Sequence, residues 1–220
     1  MTDHRYSQVT SLHSSENILG ERSVAKPRHV RFARIVSTIL APVTISLPFV
    51  VLVAFYHTRD QLAAIVYAFI ALFFLSIGPL IYVVIGVRTG KLSDLDVSRR
   101  SQRSGPFLFG IISTSIGLLV LSLVHGPKDL QTALILTAIS AVILMVTTLW
   151  WKISIHASTM AGAATMLTVL YGMALLPLFL LLVLVSWSRV ALRRHTVAQV
   201  VAGSLLSIAL SLAILKLRGV

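Results

Sequence analysis

Uncharged apolar runs alternate with short polar stretches along almost the whole chain after residue 34. The runs cover residues 35–56, 62–87, 107–124, 130–150, 157–171, 173–187 and 197–215. A helix that crosses a bilayer needs roughly 20 such residues. The pattern therefore predicts an all-α, polytopic transmembrane helix bundle of about seven helices. Pro42 and Pro48 lie inside the first run, where a membrane helix tolerates them. Only Gly172 divides the fifth run from the sixth, and it is expected to mark a hairpin. Two units result: a flexible basic tail over residues 1–34 and a transmembrane helical domain over residues 35–220.

Seven crossings place the tail and the polar stretches 88–105, 152–156 and 188–195 on one face of the membrane. Three separate segments can then converge on one site. Of the 19 Lys and Arg residues, fifteen fall on that face; Arg59, Lys128, Lys216 and Arg218 fall on the other. The positive-inside rule puts the tail and the site in the cytoplasm.

Composition sharpens this picture. Hydrophobic residues make up 56% of the chain and charged residues 12%, against about 45–50% and about 25% in soluble domains. The net charge of +12 points in a membrane protein to anionic lipids or phosphate groups, not to nucleic acid. There is no cysteine, which excludes disulfides, thiolate catalysis and Cys-ligated metals. The early part of the tail has no apolar core, so it does not read as a secretory signal.

The shared face carries two imidazoles, His156 and His195, among the cations Lys91, Arg99, Arg100, Arg103, Lys152, Arg189, Arg193 and Arg194. The acids in these segments are Asp94 and Asp96. Arginine's planar fork suits phosphate, since it donates two parallel hydrogen bonds. Each histidine precedes or opens a predicted helix, whose free N–H groups favour a bound anion. Blander roles compete. Arg193 and Arg194 fit an interfacial basic anchor, and Lys152 beside Trp150 and Trp151 fits another.

The spacing Ser188-Arg189, five residues, His195 resembles the third signature of the type 2 phosphatidic acid phosphatase family, Ser-Arg, five residues, His, three residues, Asp. Ser154-Ile155-His156 resembles its second signature, Pro-Ser-Gly-His, and the order of the two agrees. The resemblance implies a divergent member with a six-helix lipid-phosphatase-like core. It implies that His195 attacks phosphorus and forms a phosphohistidine while His156 protonates the leaving lipid oxygen. It implies phosphoryl-oxygen ligands in Arg189, Ser154 and Ser188, with Lys152 near them, and no metal or other cofactor. The substrate would be a phospholipid or an isoprenoid (di)phosphate.

Three departures stand out. Gln199 occupies the place of the Asp that orients the nucleophilic histidine; its amide is expected to hold the ring by accepting from N–H without stabilising an imidazolium by charge, with Asp96 or Asp94 of the long loop as the alternative. Ile153 and Ile155 replace the Pro and Gly of the second signature. The first signature, Lys, six residues, Arg-Pro, is missing, and Lys91 and Arg103 are its nearest equivalents. Two other readings remain open: a catalytically impaired lipid-phosphate-binding relative, and a magnesium-dependent prenyl or phosphatidyl transferase using Asp94 and Asp96. The lipid and the oligomeric state are not legible.

Overall fold

The computed structural model describes residues 27–219, and the regular elements among them are all helical. In chain order these are α1 (Arg28–Ile39), α2 (Pro42–His57), α3 (Gln61–Arg88), α4 (Ser104–Leu123), α5 (Lys128–Thr148), α6 (Ile155–Tyr171), α7 (Leu178–Ala191) and α8 (Val197–Leu217).

The first apolar run is not one straight helix. Pro42 opens α2 at a position that needs no N–H donor, and α1 and α2 meet there at 42°. The helix also begins earlier than the boundary at residue 34 implies, because Arg28 to Arg34 already belong to α1. The rest of the tail, residues 1–26, lies outside the described residues. In α3 a single π turn, Phe73–Ile77, precedes Gly78 and Pro79. A proline ring crowds the carbonyl four residues back, and a widened turn relieves that contact. Asp60 caps the start of α3, its carboxylate accepting from the Leu62 N–H at 2.9 Å.

Five stretches have the length and hydropathy to cross a bilayer: Gln61–Arg88, Arg100–Leu123, Lys128–Thr148, Met173–Ala191 and Val197–Leu217. The bent pair α1–α2 makes a sixth. The fifth apolar run becomes α6, which has 17 residues and rises only about 25 Å. Seven runs thus give eight helices among the described residues, α1 and α2 sharing the first run, and five or six stretches of spanning length.

The short α6 is the centre of the bundle. Ten of its 17 residues are buried, many of them small, including Ala157, Ala161, Gly162 and Ala164. Small side chains let helices approach closely without a hydrophobic driving force between them. On the facing helix, a Cβ at Gly203 would lie 2.7 Å from Ser158 Oγ and 3.0 Å from the Ser154 carbonyl oxygen. Gly203 is therefore what allows α8 to rest on the first turn of α6. Around this centre, Leu62, Leu180 and Leu217 are at least 70% exposed. Such outward apolar surface is stable in lipid and costly in water. The chain is a multi-pass membrane protein.

Candidate functional site

The chain reverses tightly between α7 and α8, and this reversal builds the centre of the site. Arg189 sits in the last turn of α7. Its carbonyl accepts from the backbone N–H of both Arg194, at 3.0 Å, and His195, at 3.3 Å. Arg193 takes a left-handed conformation (φ 53°) to make the turn. The five-residue spacing thereby returns His195 to the level of Arg189. Thr196 and Gln199 then start α8 with a reciprocal capping box.

Gln199 has a second task. Its Oε1 accepts from the Thr196 N–H at 3.2 Å, which fixes the amide with oxygen on that side. The same oxygen lies 3.2 Å from His195 Nδ1. An oxygen there requires a proton on Nδ1, so the neutral ring carries its lone pair on Nε2. The amide sets this tautomer without adding charge. Burial, with the charges of Lys152, Arg189 and Arg103, pushes the His195 pKa down to about 3, although the Gln199 bond opposes the shift. The ring is neutral at physiological pH.

The segment before α6 docks on this turn. Ser154 N–H donates to the Gln199 carbonyl at 3.3 Å, and the Ser154 side chain caps α6. His156 follows in the first helical turn and is buried. Lys152 Nζ donates to the Arg194 carbonyl at 3.2 Å. Burial and the charges of Arg103, Arg189 and Arg194 lower its pKa.

The long loop closes over the site. Arg103, only 3% exposed, donates from Nε to the Val97 carbonyl at 3.0 Å and from Nη1 to the Ile153 carbonyl at 3.3 Å. Arg194 donates to Ser98 Oγ. Asp96 Oδ2 accepts from both Nη1 and Nη2 of Arg189, each at 3.1 Å. Burial alone would raise the Asp96 pKa; Arg189, through its charge and hydrogen bonds, holds it below the usual carboxylate range. Asp94 turns elsewhere, accepting from Ser93 Oγ at 2.8 Å and from Ser98 Oγ at 3.0 Å.

Asp96, Arg103, His156, Arg189 and His195 line one cavity of about 1360 Å³. From this basic end it continues between the helices past Ile45, Leu136 and Leu144 to Phe49 and Met166. From His156 to Met166 the rise along α6 is about 15 Å. The space is charged at one end and largely apolar along its length, with hydroxyls such as Ser46 and Ser76 in its wall.

Several expected residues stand differently. Lys91 is exposed and does not line the cavity. Ser188 is fully buried, and its hydroxyl donates to the Val185 carbonyl at 2.7 Å. Ser154 is equally buried, and its Oγ accepts from Ala157 N–H at 3.4 Å. Both serines shape helix ends behind the cavity wall. Neither Asp94 nor Asp96 orients His195: one is held within its loop and the other bonds Arg189. Ser37 of α1 was not foreseen; its Oγ accepts from Arg189 Nη1 at 2.7 Å. A lone serine in an apolar run gives no signal, and only the fold brings it 152 residues along the chain to Arg189.

The family model of the PAP2 superfamily matches residues 150–219. The match takes in both histidines, Arg189 and Gln199, as expected for a divergent PAP2-like chain; Ser37, Asp96 and Arg103 lie outside it. No curated protein and no solved structure matches the chain.

Proposed function

We propose that this chain, PAP2-like over residues 150–219, is a membrane phosphatase that removes phosphate from a phospholipid or an isoprenoid (di)phosphate. One observation carries the reading. Two guanidiniums, Arg189 and Arg103, are almost wholly buried in the cavity that also holds both histidines. Arg103 spends its described hydrogen bonds on two carbonyls, so among the described residues no carboxylate pairs with it. Buried charge without a partner is costly, and a phosphate group would supply one.

In this reading the head group meets the arginines and the lipid chain extends past Ile45 and Leu144 towards Phe49. His195 Nε2 attacks phosphorus, and the P–O bond to the lipid breaks. Burial and the Arg189 charge push the His156 pKa down to about 4; in this reading the ring takes up a proton together with the phosphate's negative charge and gives it to the leaving oxygen. Water then attacks the phosphohistidine and passes a proton to His156. Orthophosphate leaves and His195 Nε2 regains its lone pair. The arginines hold the phosphoryl oxygens as charge develops on them.

The site is proposed to face the cytoplasm, following the charge asymmetry. The absence of native cysteine makes this easy to test. Single cysteines at the exposed positions Ser101 and His125 should react with an impermeant maleimide from opposite sides, Ser101→Cys from the cytoplasmic one. The separate partners of Asp94 and Asp96 count against a magnesium-dependent transferase.

The test of function is phosphate release by detergent-purified protein from a panel of lipid phosphates and prenyl diphosphates with EDTA present. Release that His195→Ala and His156→Ala both abolish is expected. Release that needs magnesium, or none from any substrate, would overturn the reading.

A further inference from the structure

Arg189 is held on two edges, and on a third its Nε has no partner among the described residues. A guanidinium offers five N–H donors in a fixed plane. Asp96 Oδ2 takes the end-on edge, with one hydrogen bond from Nη1 and one from Nη2, both 3.1 Å. Ser37 Oγ takes the remaining Nη1 proton at 2.7 Å. What remains is Nε–H and the second Nη2 proton, two parallel donors on the side-on edge. Nε is buried and has no partner among the described residues, and an unpaired buried donor carries the full penalty of desolvation. A parallel pair of N–H groups matches two oxygens of one phosphoryl group.

We infer that Asp96 and Ser37 form a clamp that turns the unpartnered Nε/Nη2 edge of Arg189 towards the cavity it lines, so that a phosphoryl group binds beside Asp96 and does not displace it. This rests on the proposed phosphate-binding role of Arg189 and adds two positioning residues from outside the segment that matches the family.

The geometry distinguishes a clamp from a plug. A plug would occupy the edge that the phosphate needs, and removing its charge would tighten anion binding. A clamp works through Arg189, and removing it would let the guanidinium swing, so anion binding would weaken. The carboxylate also repels the anion, which opposes this loss; the clamp requires that orientation prevail.

The probe is orthovanadate, a phosphoryl mimic, titrated into the full-length protein in detergent. Wild type should bind it and Arg189→Ala should not; failure at this stage would defeat the phosphate-site reading itself, independently of the clamp. Given that binding, Asp96→Asn and Ser37→Ala should each raise Kd, Asp96→Asn by about tenfold, the lower end of what outer partners of metal ligands contribute at metal sites. In an Arg189→Lys background, where no planar edge can be aimed, Asp96→Asn should lose most of this effect. That non-additivity is the readout a general loss of folding would not give. Tighter vanadate binding by Asp96→Asn would overturn the clamp, as would an unchanged Kd or the same fold-loss in both backgrounds.

Discussion

The two ends of the bundle treat the same residue types in opposite ways. At one end Arg103, Arg189, His156 and His195 are all less than a tenth exposed and line a deep cavity. At the other, Arg59, His125 and Lys128 are exposed around a shallow, open depression. Cations at a membrane surface are inexpensive anchors because water and head groups solvate them. Cations withdrawn from water are costly, and they persist where hydrogen bonds and a partner charge compensate. The contrast teaches that burial, more than charge count, separates a site from an anchor in a membrane protein this basic.

Substitutions can break that contrast, and His195→Ala should do so most severely. Loss of the proposed nucleophile is expected to lower phosphate release by on the order of 10⁴-fold or more, measured as kcat on the preferred lipid phosphate. His156→Ala should lower it by about 10²–10⁴-fold, and a leaving group of lower pKa should recover part of the loss, because it needs less protonation. Arg189→Ala should cost about 10²–10³-fold, the scale for removing a donor to developing charge. Arg59→Ala at the opposite end should leave both kcat and KM unchanged; a comparable loss there would erase the distinction between the ends.

Packing offers a smaller effect. Gly203→Ala places a methyl group against Ser158 Oγ, Ile153 Cγ2 and the Ser154 carbonyl. Overpacking of this kind costs about 1–3 kcal/mol, and it presses on the segment that carries His156. A lower Tm with reduced activity is expected, whereas Gly110→Ala, which meets nothing within 4 Å, should be silent.

Acid should act on the site end as well. His195 titrates at about 3 in the fold against an ordinary 6.5. Between those values the unfolded chain takes up a proton that the folded chain refuses, so stability falls as pH drops from about 6.5 towards 3. Asp96, held below its usual range by Arg189, adds stability that is lost as pH falls through its depressed value. The Tm should therefore decline on acidification, and His195→Gln should flatten the upper part of that decline.

Much of this was legible in the sequence, and the gaps have physical reasons. Apolar runs report what lipid or protein must bury, so the helices follow from them directly, though only five or six stretches reach spanning length. They do not report direction, and the bend at Pro42 and the π turn before Pro79 escape a reading by hydropathy. Within the site, the fixed spacing from Arg189 to His195 survives folding because a helix end and a tight turn are local structures. Lys91 and Arg103 were paired only by approximate spacing, and the loop buries one and exposes the other. Ser37 and Asp96 meet Arg189 through tertiary packing alone. Gln199 is a middle case: its position four residues after His195 already suggests that its amide holds the ring, whereas its capping of α8 emerges only from the fold.

The central claim is that a phosphoryl group passes through His195, and trapping it is the most direct measurement. Detergent-purified protein would be mixed with a phosphate-labelled lipid phosphate, quenched within milliseconds in base, and mapped by peptide. The account predicts an acid-labile, base-stable phosphate on His195 that vanishes in His195→Ala. Undiminished phosphate release by His195→Ala, with no label on the wild-type chain, would contradict it.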